Sequence, residues 1–209
     1  MSLTVEVISD VICPWCFIGK RRLERAIATH GKPIKVRWRP FQLNPTMPKE
    51  GISRREYRIQ KFGSWERSQE LDARVIGVGK EEGIAFAFDR IERTPNTLAA
   101  HRLIWLAEKE GVQDLVVERL FRAYFIEGRD ICALPSLVEV VVEAGLNQEK
   151  AEALLHGNDG LEALKEAGDH SGLHQVNGVP FFIVNQKVTL SGAQHPQTFL
   201  EAFERAEDR

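Results

Sequence analysis

The sequence predicts an α/β fold whose sheet is built from both ends of the chain, with a long all-helical segment inserted between them. Three observations support this prediction. The N-terminal residues follow a β-α-β pattern, the C-terminal residues follow a β-β-α pattern, and the apolar residues between them recur at helical spacing. We therefore expect a discontinuous α/β domain at residues 1–48 and 176–209, and a helical insertion domain at residues 49–175.

The N-terminal pattern starts with "LTVEVISD", whose β-branched residues are typical of a buried strand. The next segment, "CPWCFIGKRRLERAIATHG", is predicted to be a helix because Phe17, Leu23 and Ile27 can share one face, and Gly31 ends it. "IKVRWRP" then alternates apolar and basic residues, as a strand with one buried face does. Two strands joined in this way by a helix pair in parallel.

The segment from Ser53 to about Val176 is predicted to be almost wholly helical. Thr94, Pro95 and Asn96 indicate a helix start, because proline is favoured in the first turn. Two later runs of apolar residues at helical spacing indicate further helices: Leu120, Phe121, Tyr124 and Phe125, and then Leu137, Val138, Val141 and Ala144. No repeat of about 20 to 50 residues is visible, so the segment is not predicted to be a solenoid.

The C-terminal pattern consists of a hairpin and a helix. "VPFFIV" and "VTLSG" are separated by a short polar turn at residues 185–187, which is typical of two antiparallel strands. "HPQTFLEAFERAE" is predicted to be an amphipathic helix, with Pro196 near its start and Phe199, Leu200 and Phe203 on its inner face.

The composition is that of a globular protein without a strong electrostatic preference. Hydrophobic residues make up 43% and the net charge is −2, which gives no argument for a nucleic-acid or membrane partner. No run approaches the ~20 apolar residues of a membrane span, and the N-terminus lacks the basic and apolar regions of a signal peptide. Three cysteines without an export signal indicate a reducing compartment, so we expect the cytoplasm.

Two of the three cysteines, Cys13 and Cys16, are separated only by Pro14 and Trp15. A structural zinc site needs four ligands, and the sequence has neither a second Cys-x-x-Cys nor histidines at ligand spacing. A structural disulfide would close a very short loop and would stabilise the fold little. We therefore expect no metal, and we favour a reactive dithiol.

The position of Cys13 favours that interpretation. It lies where a strand ends and a helix begins, and the free N–H groups and positive dipole of a helix N-terminus stabilise a thiolate. The thiolate is the species that attacks a disulfide, and Cys16, one turn later, is within reach to resolve the product. Pro14 suits the first helical turn because it has no N–H to lose, and Trp15 would form an apolar surface beside the sulfur.

Five blocks in order along the chain extend the cysteine motif: "SDVICPWCFIGKRR", "RWRPFQLNP", "TPNTLAAHRLIWLA", "LFRAYFIEGRDI" and "GVPFFIVNQKVTLSGAQ". Together they resemble the DsbA-like thioredoxin-fold oxidoreductases, and closely the FrnE-like branch of that family. The resemblance implies a thioredoxin fold with a large all-helical insertion between its β-α-β and β-β-α halves. It also implies that the Val179–Pro180 bond is cis, that Pro180 packs against the cysteine pair, and that the Val179 backbone can pair with an extended substrate.

Further residues are expected near the cysteine pair. Asp10, three residues before Cys13, is expected either to accept or relay the proton of a thiol or to cap the following helix. Phe41 and Asn44 are expected to line the site because they follow the second strand, and Asn96 and Gln194 because they fall in the shared blocks. Each of the four is expected to contribute through packing or capping. Cys132 is predicted to be a small core residue at a helix start rather than a third redox thiol.

The leading hypothesis is a dithiol–disulfide oxidoreductase with Cys13 as nucleophile and Cys16 as resolving thiol. No cofactor is required, and the expected partners are disulfide- or dithiol-containing proteins or small thiols, with glutathione as a candidate redox partner. The alternative is a glutathione-dependent transferase or 2-hydroxychromene-2-carboxylate isomerase-like enzyme on the same fold, although those relatives usually lack the cysteine pair. A third hypothesis is a peptide-binding chaperone or scaffold whose redox activity is incidental.

Overall fold

The sheet is built from both ends of the chain, as the alternation patterns predict. The computed structural model describes residues 3–173 and 176–207, so the predicted domain ends at residues 1, 175 and 209 lie outside the described residues. Four strands form the sheet: β1 (Leu3–Ser9), β2 (Ile34–Pro40), β5 (Phe181–Val184) and β6 (Val188–Ser191). Their order is β2-β1-β5-β6, with β1 parallel to β2 and antiparallel to β5.

Two helices accompany this sheet. Helix α1 (Pro14–His30) connects β1 to β2, and the C-terminal helix α9 (Pro196–Glu207) packs against it. Helix α1 ends at Gly31, as predicted, because that glycine adopts a φ of 74° in the left-handed region and its N–H bonds back to the helix. The apolar face predicted for α9 is buried at Phe199 and Phe203.

The insertion is mainly helical. It contains α2 (Arg54–Phe62), α3 (Trp65–Glu81), α4 (Leu98–Lys109), α5 (Gln113–Phe125), α6 (Leu134–Glu143), α7 (Gln148–His156) and α8 (Leu161–Leu173). The sequence did not predict two short strands, β3 (Ile52–Ser53) and β4 (Arg93–Thr94), which pair antiparallel and bring the two ends of the α2–α3 segment together. Each strand has two residues, which is too short for an alternating pattern to show.

An aromatic cluster joins the insertion to the sheet domain. Phe17 of α1 stacks on Phe121 of α5 with ring centroids 5.0 Å apart, and Phe125 packs beside both. Trp38 of β2 meets Phe121 edge-on. Since these rings are buried and belong to both parts of the chain, the start of α1 is held in one hydrophobic core with the insertion.

A buried lysine reinforces the same junction. Burial lowers the pKa of Lys20, but the carboxylates of Asp114, Glu24 and Glu118 outweigh that effect, so its pKa is raised and the ammonium group stays charged. Asp114 also accepts a hydrogen bond from Trp38 Nε1 at 2.9 Å. Helices α1 and α5 are therefore linked by charge as well as by apolar packing.

The predicted α/β fold class with a helical insertion is confirmed. The exact division between the two domains stays a prediction, because one aromatic core crosses it. In the part of the chain that the structure describes, no helix combines the length and the apolar character needed to cross a membrane.

Candidate active site

The cysteine pair lies at the start of α1. Cys13 is the N-cap residue, in extended conformation, and Pro14 occupies the first helical turn. The Cys13 N–H donates to the Asp10 carbonyl at 3.0 Å, and the Cys16 N–H donates to the Cys13 carbonyl at 3.0 Å. This tight turn at the end of β1 places one cysteine above the other on the first turn of the helix.

The two thiols differ in access. Cys13 is 5% exposed and lines a cavity, whereas Cys16 is 0% exposed and does not contribute to the cavity wall. The Cys13 thiol donates to the Val179 carbonyl at 3.4 Å. Cys13 is thus less exposed than a residue at the N-terminus of a helix that faces solvent, because the loop before β5 and the insertion both cover it.

Burial also separates the two thiols chemically. It raises the pKa of the Cys16 thiol well above its ordinary value, and the neighbouring Cys13 raises it further. Cys16 is therefore held protonated at neutral pH behind the accessible sulfur.

The loop before β5 contains the predicted proline. The Val179–Pro180 peptide bond is cis, as the resemblance implies. Pro180 is buried and packs on Gly19 of α1, where a Cβ would lie 3.1 Å from the proline Cγ. Gly19 therefore permits a close approach between this loop and the helix that carries the cysteines.

Asp10 is fully buried, and its side chain faces the loop after β2. Its Oδ2 accepts from the Leu43 N–H at 2.8 Å, and its Oδ1 lies 3.3 Å from His101 Nε2. The same His101 nitrogen lies 3.1 Å from the Phe41 carbonyl. These contacts show that the Asp10 side chain does not cap α1, so the capping alternative is wrong. Its proposed role in proton transfer stays a prediction.

His101 was missed by the sequence analysis. It lies on α4 among apolar neighbours in "LAAHRLIWLA", where a buried histidine looks like an ordinary core position. The signal in the sequence was a single imidazole side chain within a mainly apolar run.

Besides Cys16, six of the predicted site residues are not among those that line the Cys13 cavity: Asp10 and Pro180, described above, and Phe41, Asn44, Asn96 and Gln194. Phe41 packs against the buried side chains of Ile8, Val176 and Ile183. Asn44 accepts a hydrogen bond from the Tyr57 hydroxyl at 2.9 Å. Asn96 donates to the Met47 carbonyl, and Gln194 donates to the Ser191 carbonyl. Their polar groups are used to hold the surrounding loops in place.

The cavity itself lies between the start of α1 and the insertion. It has a volume of about 490 Å³, and Cys13, Pro14, Trp15 and Val179 form one side of it. The other side comes mainly from α2 and α3 and includes four cationic side chains: Arg54, Arg58, Lys61 and Arg74. None of these four side chains was among the predicted site residues. Their signal was the spacing of the first three at i, i+4 and i+7, which puts them on one face of α2.

Cys132 lies apart from this cavity lining. It is half-buried in the turn before α6, and its sulfur packs against Gly51, where a Cβ would come within 2.7 Å of it. Burial raises the pKa of this thiol. The position near a helix start agrees with the prediction, but the residue is less buried than a core position.

The described residues contain no group of three or more histidine, cysteine, aspartate or glutamate side chains placed to hold a metal ion. A Cys-x-x-Cys pair follows the central strand at the start of a helix and faces a cis-proline loop, which is the arrangement of a thioredoxin-like fold. The chain belongs to the DSBA-like thioredoxin domain family, whose family model matches residues 4–204.

Individual relatives agree with this assignment. The Bacillus subtilis protein YwbO is 27% identical over 203 residues, which are 97% of this chain and 96% of that protein. The crystal structure of a probable DsbA oxidoreductase from Streptomyces coelicolor is 29% identical and superposes with a TM-score of 0.91 over 99% of this chain and 91% of that one. The cytosolic disulfide reductase DsbM from Pseudomonas aeruginosa, solved with GSH, shares the fold at 22% identity, with a TM-score of 0.66 over 98% of this chain and 96% of that one.

Proposed function

We propose that this protein is a thiol–disulfide oxidoreductase in which Cys13 is the nucleophile and Cys16 the resolving thiol. One observation carries the proposal: the Cys13 sulfur lines a cavity, while Cys16 lies fully buried one helical turn behind it. A substrate can therefore meet only one of the two thiols. The family assignment supports the same chemistry.

The reaction has two balanced exchange steps. In the first step, the Cys13 thiolate attacks one sulfur of a disulfide, a bond forms between them, and the other substrate sulfur leaves as a thiolate. In the second step, Cys16 loses its proton and attacks the Cys13 sulfur. This forms the Cys13–Cys16 disulfide and releases the second substrate thiol. The substrate gains the two electrons that the protein dithiol loses, and the sequence of steps runs backwards when the protein acts as oxidant.

The direct test is a redox titration of the purified protein against mixtures of a reduced and an oxidised dithiol. A two-electron transition that consumes the thiols of Cys13 and Cys16 and leaves Cys132 free is expected. Retention of both free thiols under every oxidising mixture would contradict the proposed activity.

We expect Cys13 to alkylate faster than Cys16 and Cys132 in the reduced protein at neutral pH. Cys13 opens onto the cavity at a helix start, whereas burial raises the pKa of the other two thiols. The measurement is a time course with a small alkylating reagent, followed by peptide mass analysis. Equal rates at Cys13 and Cys132 would show that the assigned roles are wrong.

The second exchange step is expected to accelerate as pH rises. Burial raises the pKa of Cys16, and below that pKa the thiolate fraction of a thiol grows about tenfold per pH unit. The experiment preforms a mixed disulfide between Cys13 and a chromophoric thiol, then follows release of that thiol from about pH 6 to about pH 9. A rate that is already constant near neutral pH would show that burial does not hold the proton on Cys16.

The proposal extends to partners and location. Disulfide- or dithiol-containing proteins and small thiols, including glutathione, are the proposed partners, and DsbM, which shares the fold, is cytosolic and was solved with GSH. The cytoplasm is accordingly the proposed compartment. The chemistry above uses only cysteine side chains and therefore needs no cofactor.

A further inference from the structure

The cavity in front of Cys13 is unusually cationic for a chain whose net charge is −2. Arg54, Arg58, Lys61 and Arg74 all line it, and Asp72 is the one carboxylate among its lining residues. These charges belong to α2 and α3, the insertion helices that lie across the cavity from the cysteine. They therefore face the same space that a substrate disulfide must enter.

The positive charge of Arg54 and Arg58, the less exposed two of these four cations, is partly neutralised. Arg54 and Arg58 both donate to Asp72, at 2.6 and 2.7 Å, so two guanidinium groups share one carboxylate. One positive charge in excess remains at this inner position. Because Arg54 and Asp72 are buried, solvent screens that excess less than it would at the protein surface.

The two more exposed cations, Lys61 and Arg74, form the rim of the cavity, and no carboxylate of the described residues neutralises them in the same way. Lys61 donates to the Tyr57 hydroxyl, and among the side chains that the structure describes no carboxylate forms an ion pair with Lys61 or Arg74. Both side chains are exposed at the cavity mouth. Cations of this kind at the entrance to a cleft raise the local concentration of anions.

Apart from the hydroxyl groups of Tyr57, Thr94 and Tyr124, the remaining side chains that line the cavity are mainly apolar. Ile12, Trp15 and Leu43 lie on the cysteine side, and Phe62 and Val75 lie on the insertion side. A volume of about 490 Å³ is in the range of small-molecule sites rather than of flat protein interfaces. The cavity thus offers apolar contact to a short carbon skeleton and positive charge to its acidic groups.

We propose that the Cys13 cavity selects disulfides of small, carboxylate-bearing thiols, and that Lys61 and Arg74 are specificity-determining residues. This inference rests on the proposed oxidoreductase function and names its substrate class. The carboxylates meet the two rim cations while one substrate sulfur approaches Cys13, and the exchange steps are those described above. Protein disulfides, which must bring a folded surface to an enclosed sulfur, are predicted to react less well.

The test compares three small disulfides of similar size and different charge: anionic 3,3′-dithiodipropionate, neutral bis(2-hydroxyethyl) disulfide and cationic cystamine. Each rate of oxidation of the reduced protein is divided by the rate at which the same disulfide oxidises dithiothreitol, a neutral dithiol, and this ratio corrects for the intrinsic reactivity of the disulfide. At low ionic strength we expect the anionic disulfide to be favoured over the cationic one by about tenfold or more, and the preference to shrink with added salt.

Two double variants complete the test. Lys61→Glu with Arg74→Glu is expected to lower the ratio of the anionic rate to the neutral rate by about tenfold, and continued oxidation by the neutral disulfide shows that the site is folded. The control pair, Lys80→Glu with Arg205→Glu, makes the same charge change at exposed positions outside the cavity lining and should alter neither rate.

The outcomes distinguish the two proposals. If no disulfide oxidises Cys13 and Cys16, the proposed function itself fails. If all three disulfides react at equal corrected rates, or the cavity variant behaves like the control pair, the oxidoreductase proposal stands and the charge selection is wrong. Faster oxidation by a protein disulfide such as that of insulin than by the anionic small disulfide would also overturn the inference.

Discussion

Replacing Cys16 with serine is expected to convert the protein into a trap for its own substrates. Cys13 keeps its place at the cavity wall and still attacks a disulfide, but a serine hydroxyl is a far poorer nucleophile than a thiolate at neutral pH. The mixed disulfide then forms and cannot be resolved from within. Turnover should fall to near background, a loss on the order of a thousandfold or more.

The adducts provide the measurement. The Cys16→Ser protein is isolated from cells after free thiols have been blocked, and covalent partners are detected as species that a reductant releases. Cys132→Ser is the matched control, because it also removes one thiol but leaves the Cys13–Cys16 pair intact, so it should turn over normally without adducts. The double variant Cys13→Ser with Cys16→Ser should form none.

This experiment also separates the oxidoreductase from the glutathione-dependent alternative. In a glutathione transferase or isomerase, the reactive sulfur belongs to bound glutathione, and Cys16 would only fill space in the core. Cys16→Ser would then cost little. Absence of adducts together with preserved activity on a small electrophile or a chromene substrate would replace the oxidoreductase proposal with that alternative.

Much of the sheet domain could be predicted because its signals are local. The alternation of "IKVRWRP", the spacing of Phe17, Leu23 and Ile27, and the position of Gly31 each depend on residues within one element. The cysteine pair has the same advantage, since the junction of strand and helix is visible in the sequence around Cys13. The cis geometry of Pro180 was expected only from the resemblance, as no local pattern distinguishes it from an ordinary strand start.

The opposite wall of the cavity could not be predicted in this way. The charges of α2 look like a solvated helix face until the insertion is folded over Cys13, and that arrangement depends on contacts between distant elements. Phe41 shows the converse error: it follows a strand at the edge where a site is expected, but its ring packs beside Ile8 away from the cavity. Whether the side chain of a residue at the sheet edge points toward the site or away from it is decided by packing that the sequence does not show.

Replacing Asp72 with asparagine is expected to cause the largest loss of stability among single charge changes in the cavity wall. The Asp72 side chain is 12% exposed and accepts from Arg54 and Arg58 at the same time. Asparagine keeps the shape but removes the negative charge, so two guanidinium groups remain close together at a buried position without a counter-ion. Removing one partner of a buried ion pair costs about 3 to 5 kcal/mol. Urea unfolding measures this as a fall in the free energy of unfolding.

Glu70 on the same helix provides the control. Its side chain is 61% exposed, and in the described part of the chain it pairs with Arg67, one turn away. Glu70→Gln should therefore change the free energy of unfolding by no more than about 0.5 kcal/mol. If Asp72→Asn cost as little as Glu70→Gln, the shared ion pair would not be what holds α2 against α3. The double replacement Arg54→Met with Asp72→Leu tests the cause. It leaves only Arg58, whose side chain is 17% exposed, without the carboxylate, whereas Asp72→Asn leaves both guanidinium groups without it. The double replacement should therefore be less destabilising than Asp72→Asn.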